Sequence, residues 1–250
     1  MKAKPFFYFL GTLLILFIVI PLFRMMFSVS PQEAGRALME KELMSSILLT
    51  LRASLWATLT ALILGIPLSF ILARHHFFGQ KIIEGLIDIP VVIPHTAAGI
   101  ALLMVWGRES LFTKVTGISI PGTEAAISIA MLFVSLPFLV NSAKEGFKMI
   151  DVRYEKTAIS LGASPWKAFT SVSLPMAKKS IISGSIMMWA RGISEFGAVV
   201  ILAYHPMTAP VLIFERFQNF GLDYAAPATV VLILIILVVF VVLRILGDRQ

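Results

Sequence analysis

The 250 residues contain no cysteine, which rules out a disulfide, a thiolate metal site and a cysteine nucleophile. Histidine is scarce as well: His75, His76, His95 and His205 are scattered and give no metal-ligand spacing. Charged residues make up 14% of the chain against 58% hydrophobic. With a mean hydropathy of +0.91, that balance is too apolar for an ordinary soluble domain. No Gly-x-x-x-x-Gly-Lys-Ser/Thr segment occurs, so the chain cannot wrap ATP phosphates in the usual way. Ionisable residues within the apolar runs are too few to build the clustered acid, base or metal set of a free-standing membrane enzyme. There is no internal repeat of the inverted kind that marks many ion-coupled secondary transporters, and no low-complexity segment.

What is present is length of apolar chain. Six runs are long enough to cross a bilayer, which needs about 20 apolar residues: Pro5 to Phe27, Ser46 to Ala73, Gly85 to Trp106, Glu124 to Val140, Ile181 to Ala203 and Tyr224 to Leu246. The fold expected is all-α, a polytopic protein of six transmembrane helices in one membrane domain over residues 1–250. The first run follows Lys2 and Lys4 but is longer than a signal-peptide core and lacks a small-x-small cleavage site, so it reads as a retained helix.

An even number of spans puts both termini on one side. That side carries most of the 21 Lys and Arg: Lys2, Lys4, Arg244 and Arg249 at the ends, Arg74 and Lys81 in one loop, and the densest group in the loop from Lys144 to Lys179. Cations gather on the cytoplasmic side of a membrane protein, so both termini are expected in the cytoplasm of a multi-pass protein of the cell membrane. The net charge of +7 is then an orientation signal; no soluble basic domain exists to bind nucleic acid. The outer loops, Ser28 to Ser45, Gly107 to Thr123 and Tyr204 to Asp223, show little sign of independent folding.

The loop at 144–179 is the most patterned polar segment. A short helix is expected to begin at Asp151 as N-cap and to end at Gly162, since glycine accepts the left-handed conformation that closes a helix. Ser164-Pro165 then starts a second helix: the serine caps free amides and the proline gives up a donor that had no partner. Trp166 and Phe169, three apart, flank this corner on one face. Such an aromatic pair suits a pocket in another subunit or, alternatively, the membrane interface.

Two further stretches stand out within the apolar runs. Pro90 and Pro94 remove amide donors and predict a kinked or extended start to the third span. His95 beside them reads as an ordinary hydrogen-bonded residue. In the fifth span, Arg191 and Glu195 stand at i and i+4, where they can neutralise each other; the pair is either part of a gate and polar pathway or a structural ion pair fixing one helix to its neighbours. A neutral pair brings no net positive charge to attract an anion. Gly184, Ser185, Gly192, Ser194, Gly197 and Ala198 thin the same span and let backbones approach closely.

The order Gly162, nine residues, Val172, one residue, Leu174-Pro175 resembles the signature of the last large cytoplasmic loop in ABC importer permeases. In that family a Glu-Ala-Ala triplet precedes the glycine. Here the aligned positions read Lys156-Thr157-Ala158, with Glu155 one place earlier. The segments Ile89 to Gly99 and Arg191 to Ala198 are similar to those of molybdate and tungstate permeases, with sulfate permeases as nearest relatives, and the likeness runs from about Leu49 to the end. The resemblance implies a coupling helix that docks into an ATP-binding subunit, carried by Glu155, Ala158, Gly162, Ser164, Pro165, Trp166, Phe169, Leu174 and Pro175. It also implies a pathway or gate at Pro94, Thr96, Gly99, Arg191, Glu195 and Gly197. The partners it implies are a second copy of the chain, two cytoplasmic ATPase subunits that hold ATP and magnesium, an extracytoplasmic oxyanion-binding protein and the lipid bilayer. No cofactor is expected in the chain itself. A sulfate or thiosulfate importer is the near alternative to molybdate and tungstate, and an ion-coupled secondary transporter the distant one.

Overall fold

The computed structural model describes residues 4–248, so Lys2 and Arg249, two of the terminal cations invoked for orientation, lie outside the described residues. Among the described residues the fold is all-α, with no strand. In chain order the helices are α1 (Lys4–Ser28), α2 (Pro31–Met39), α3 (Lys41–Arg74), α4 (Gln80–Val92), α5 (His95–Trp106), α6 (Leu111–Thr116), α7 (Glu124–Lys148), α8 (Val152–Ser160) and α9 (Pro165–Ala168). A π-helical turn over Phe169–Ser173 leads into α10 (Leu174–Met176), followed by α11 (Lys178–Ile193), α12 (Gly197–Leu202), α13 (Ala209–Phe220) and α14 (Leu222–Asp248).

Four of the six apolar runs are single helices long and apolar enough to cross a membrane: Phe6–Ser28 within α1, α3, α7, and Leu222–Leu243 within α14. The other two are broken. The third run is the pair α4 and α5, bent by 114° at Ile93-Pro94. Helix α4 runs through Pro90 and stops where Pro94 holds its predecessor Ile93 in extended conformation, with φ −75° and ψ 149°. The fifth run, read from the sequence as one span from Ile181 to Ala203, is the 16-residue α11, a break at Ser194–Phe196, and the six-residue α12. Six uninterrupted spanning helices are therefore not what the chain forms. α3, with 34 residues, is about 50 Å long at 1.5 Å per residue and exceeds the ~30 Å hydrocarbon core.

The outer loops hold more structure than expected. α2 opens with a complete capping box, Ser30 accepting from the Glu33 N–H while the Glu33 carboxylate accepts from the Ser30 N–H at 2.8 Å. α13, started by Thr208-Ala209-Pro210, buries Leu212 and Ala209 against Leu43, Ile47, Val231 and Leu232 of α3 and α14. On this side Arg216, 7% exposed, pairs with Glu40 at 2.7 Å and Glu42 at 3.2 Å.

The scaffold is α3, α7 and α11, with α5 and α12 laid beside them. Small residues set the spacing: a Cβ on Gly184 would come within 2.7 Å of Ser142 Cβ, and one on Gly146 within 2.5 Å of Ser180 Cβ, so α7 and α11 touch backbone to backbone. Hydroxyls staple the same contacts. Ser142 Oγ donates to the Ser180 carbonyl at 2.7 Å, and Ser54 Oγ on α3 to the Trp189 carbonyl on α11 at 2.8 Å. Two cores result along α3 and α7: one around Ala57, Ile127, Met131, Ala198 and Val199, the other around Leu139, Phe147, Ile181 and Met188. α1 touches α14 but buries no residue of its apolar stretch on this single chain.

Candidate functional site

Two regions concentrate the residues singled out from the sequence. The first is the corner after α8. Asp151 caps α8 through its carboxylate, which accepts from the Arg153 N–H at 2.9 Å. Gly162 takes φ +94°, and the N–H of Ala163 closes back on the Ala158 carbonyl at 3.0 Å, ending the helix as glycine in the left-handed region does. Ser164 Oγ accepts from the Lys167 N–H at 3.2 Å and Pro165 occupies the first position of α9.

Glu155 fastens this corner to the membrane helices. Its Oε1 lies 2.7 Å from Arg74 Nη2 at the end of α3 and accepts from Ser173 Oγ in the π-helical turn at 2.8 Å. The Arg74 and Glu155 side chains are 6% and 13% exposed, so this pair is largely desolvated, and losing one partner leaves a buried charge uncompensated.

The aromatic pair stays in contact across three residues, ring centroids 5.6 Å apart, but its two rings differ in exposure. Trp166 is 71% exposed. Phe169 turns inward, its ring centroid 4.8 Å from Phe70 on α3 and 6.2 Å from Phe147 on α7. Phe169 opens the π-helical turn that leads the chain back toward α3 and α7. Leu174 likewise packs toward the core, whereas Pro175 stays exposed. The outward apolar surface is made instead by Trp166 with Leu161, 84% exposed, Tyr154 and Ile159. Leu161 and Tyr154 carried no motif; their positions flanking the Gly162 turn and on the free face of α8 were the available signal.

The second region is where the two broken runs meet. α5 begins at His95 just after the Pro94 bend, and α12 begins at Gly197 just after the break that follows α11. The two are pressed together: a Cβ on Gly197 would fall 2.7 Å from His95 Cβ, and one on Gly99 would fall 2.9 Å from the Ala198 carbonyl oxygen. Arg191, in the last turn of α11, reaches across the gap. Its Nη2 is 2.9 Å from Glu195 Oε2 and 2.8 Å from His95 Nδ1, and its Nη1 donates to Ser194 Oγ at 3.2 Å. His95 Nδ1 is in turn 2.9 Å from Glu195 Oε2. The second oxygen, Oε1, accepts from the Ala198 N–H at 2.9 Å and so caps the start of α12.

The Arg191–Glu195 pair expected from i,i+4 spacing is formed, but α11 ends at Ile193 and Glu195 sits in the break, fully buried. His95 joins it as a third member. Sequence reasoning treated it as a lone histidine because nothing in the chain order announces a partner 96 residues away. Pro94 and Thr96 are exposed beside the cluster, and Gly99 is buried against α12. Among the described residues no three His, Asp or Glu side chains converge in a way that holds a metal ion.

Residues 65–250 match the family described as binding-protein-dependent transport system inner membrane component. The chain belongs to that family. Members are transport-system subunits embedded in the membrane, in keeping with the apolar helices above. Relatives include the molybdate/tungstate transport system permease proteins WtpB of Thermococcus kodakarensis, 41% identical over 96% of this chain and 94% of the relative, and of Methanocaldococcus jannaschii, 41% identical over 95% and 94%. A probable sulfate transport system permease protein of Chlorokybus atmophyticus is 36% identical over 75% of this chain and 67% of its own. Among solved structures, a bacterial alginate ABC transporter in complex with its alginate pentasaccharide-bound periplasmic protein superposes with a TM-score of 0.77 at 14% identity, covering 99% of this chain and 95% of that one. The inward-facing MetNI methionine ABC transporter gives 0.63 at 16%, covering 84% and 97%. At those identities the likeness speaks for the shared fold.

Proposed function

We propose that this chain is the transmembrane permease subunit of an ATP-driven ABC importer that moves molybdate and tungstate into the cell by alternating access. The observation that carries the substrate is the graded likeness: 41–43% identity over nearly the whole chain to permeases named for molybdate and tungstate, against 29–36% to those named for sulfate. The sulfate or thiosulfate reading is the weaker one on that ground.

The chain supplies the route and a docking corner, and the energy comes from outside it. Two cytoplasmic ATPase subunits, holding ATP and magnesium, receive the surface made by Leu161, Trp166, Tyr154 and Ile159. Gly162, Ser164, Pro165 and Pro175 shape the corner. Ala158 closes its turn, and Glu155, Phe169 and Leu174 anchor it to α3 and α7. Closure of the ATPase pair then reaches the long α3 through the Glu155–Arg74 contact. On this reading both termini and residues 144–179 are cytoplasmic, and an extracytoplasmic oxyanion-binding protein delivers substrate to the opposite face. The ion pairs are consistent with that sidedness, since Arg74–Glu155 and Lys144–Glu84 join segments assigned to the inside and Arg52–Glu124 and Arg216–Glu40 join segments assigned to the outside.

A second copy completes the pathway. Thr96 and Ser194 are exposed and His95 is partly so, within apolar runs, a placement that in a bilayer favours water or protein against them. Pro94, Thr96, Gly99, Arg191, Glu195 and Gly197 line or support this route between two copies. The substrate assignment is tested by competition on the cognate external binding protein. Molybdate and tungstate are expected to displace each other at comparable concentrations and sulfate to require far more; displacement by sulfate at equal concentration would return the chain to the sulfate branch.

A further inference from the structure

The break between α11 and α12 is held from the outer side as well as by its ion pair. Phe196, which follows Glu195 and precedes the first residue of α12, has non-helical φ −123° and ψ −52°. Its ring lies against Phe214 of α13, with centroids 4.8 Å apart and planes inclined at 53°, a geometry in which aromatic pairs attract. One turn earlier on α13, Val211 is wholly buried in the core that holds Ala198, Val199 and Leu202 of α12. A second edge of α13 belongs to the scaffold. Leu212 packs with Leu43, Ile47 and Val231, Arg216 pairs with Glu40, and the Ala209 N–H donates to Thr50 Oγ1 at 2.8 Å. α13 thus bridges α3 and α14 to α12 and the break, from an outer loop in which 40% of Phe214 stays exposed.

We propose that Phe214 is a positioning residue for transport: through Phe196 it sets the α11–α12 break, and movement of α13 when the external binding protein docks passes through these two rings to the pathway. The inference rests on the importer reading and names the contact by which the outer face reaches the Arg191–Glu195 pair. Arg191, Glu195 and His95 tie α5, α11 and the start of α12 to one another. The Phe214–Phe196 contact adds an element of the outer surface to that set. Phe196 is the next residue after Glu195, so a ring that fixes Phe196 also fixes where the buried carboxylate sits.

α12 is six residues long and starts at a break, so it has little backbone bonding of its own with which to resist a shift of the helix beside it. Its first residue is close-packed on α5, where a Cβ on Gly197 would fall 2.7 Å from His95 Cβ. A displacement passed to Phe196 therefore reaches Glu195 on one side and α5 on the other. Positioning of this kind leaves a distinct kinetic mark. Losing the Phe214 ring lowers the effect that docking has on ATP hydrolysis, whereas a ring that only fills space alters hydrolysis with and without the binding protein alike.

The test uses the complete assembly, with cognate ATPase subunits, in proteoliposomes. It reads ATP hydrolysis with saturating molybdate-loaded binding protein relative to hydrolysis without it. Phe214→Ala is expected to lower this ratio about fivefold, the scale of one aromatic pair, and the loss is expected to persist however much binding protein is added. Phe214→Tyr, which keeps the ring, is expected to retain the wild-type ratio. A wild-type ratio in Phe214→Ala, an equal change in its two rates, or a ratio in Phe214→Tyr as low as in the alanine variant overturns the proposal and leaves the importer reading intact. Should Phe214→Ala fail to assemble, Phe196→Leu decides from the other side of the contact: a lowered ratio supports the proposal and a wild-type ratio overturns it. A wild-type assembly that neither responds to the binding protein nor carries molybdate overturns the importer reading itself, and the inference with it.

Discussion

At the scale of single residues, the Gly162 corner separates side chains that hold the chain together from those left exposed, which the proposed function assigns to the ATPase. Trp166 and Leu161, 71% and 84% exposed, are among the most exposed apolar side chains of the described residues. Replacing both with alanine is expected to leave the thermal unfolding of the purified permease unchanged. The same change should weaken ATPase association at least about 30-fold, the scale of a lost interface hot spot of 2 kcal/mol. Undiminished binding in a titration of labelled ATPase would place the interface elsewhere. Asp151 offers a pH test of the same corner. The Arg153 side chain, then the Arg153 backbone N–H, hold its carboxyl below the usual carboxylate range. Its folded value is thus depressed, so its contribution is complete above the unfolded pKa of about 3.9 and is lost as pH falls through the lower folded value. Asp151→Asn should remove that acid-side dependence of α8, followed by hydrogen exchange of its first-turn amides.

At the scale of elements, the sequence was most legible where a local signal sufficed. Asp151, Gly162 and Ser164-Pro165 each act within one turn, and all three appear as capping features where the spacing indicated. The apolar runs were legible as apolar, but their continuity was not. Ile181 to Ala203 contains no proline, yet the helix stops at Ile193 because the buried Glu195 carboxylate caps a new helix at Ala198, and that choice depends on Arg191 and His95 meeting it from two other directions. The different exposure of Trp166 and Phe169 was illegible for a related reason, since the rings that cover Phe169, Phe70 and Phe147, come from distant helices. Ser30-x-x-Glu33 was a readable capping box that length-based span finding passed over. The joint between α8 and α3 carries its own prediction. Glu155→Ala leaves Arg74 buried without its carboxylate and is expected to destabilise the loop by about 3–5 kcal/mol, the cost of breaking a buried pair. Proteolysis between residues 150 and 176 should accelerate accordingly, and wild-type protection in the variant would show that the contact bears little of the load.

At the scale of the whole molecule, two helix groups share one apolar core and are joined at one edge by a polar cluster. One is the α3–α7–α11 scaffold, held by glycine and serine contacts and continuous with the docking corner through Glu155. The other is the α5–α12 pair, close-packed through Gly99 and Gly197, sharing a core with Ala57, Ile127 and Met131 and tied to α11 through the Arg191–Glu195 contact. The alternating access proposed above would use the Glu155–Arg74 contact to connect the Gly162 corner to α3. The central claim is that ATP spent by partners drives an oxyanion through this chain, and the direct measurement is molybdate accumulation in sealed proteoliposomes. With the ATPase subunits, binding protein and ATP all present, accumulation against the gradient is predicted, suppressed by equimolar tungstate and abolished when ATP is replaced by a non-hydrolysable analogue. Accumulation by the permease alone, or at an undiminished rate without hydrolysis, would contradict the account.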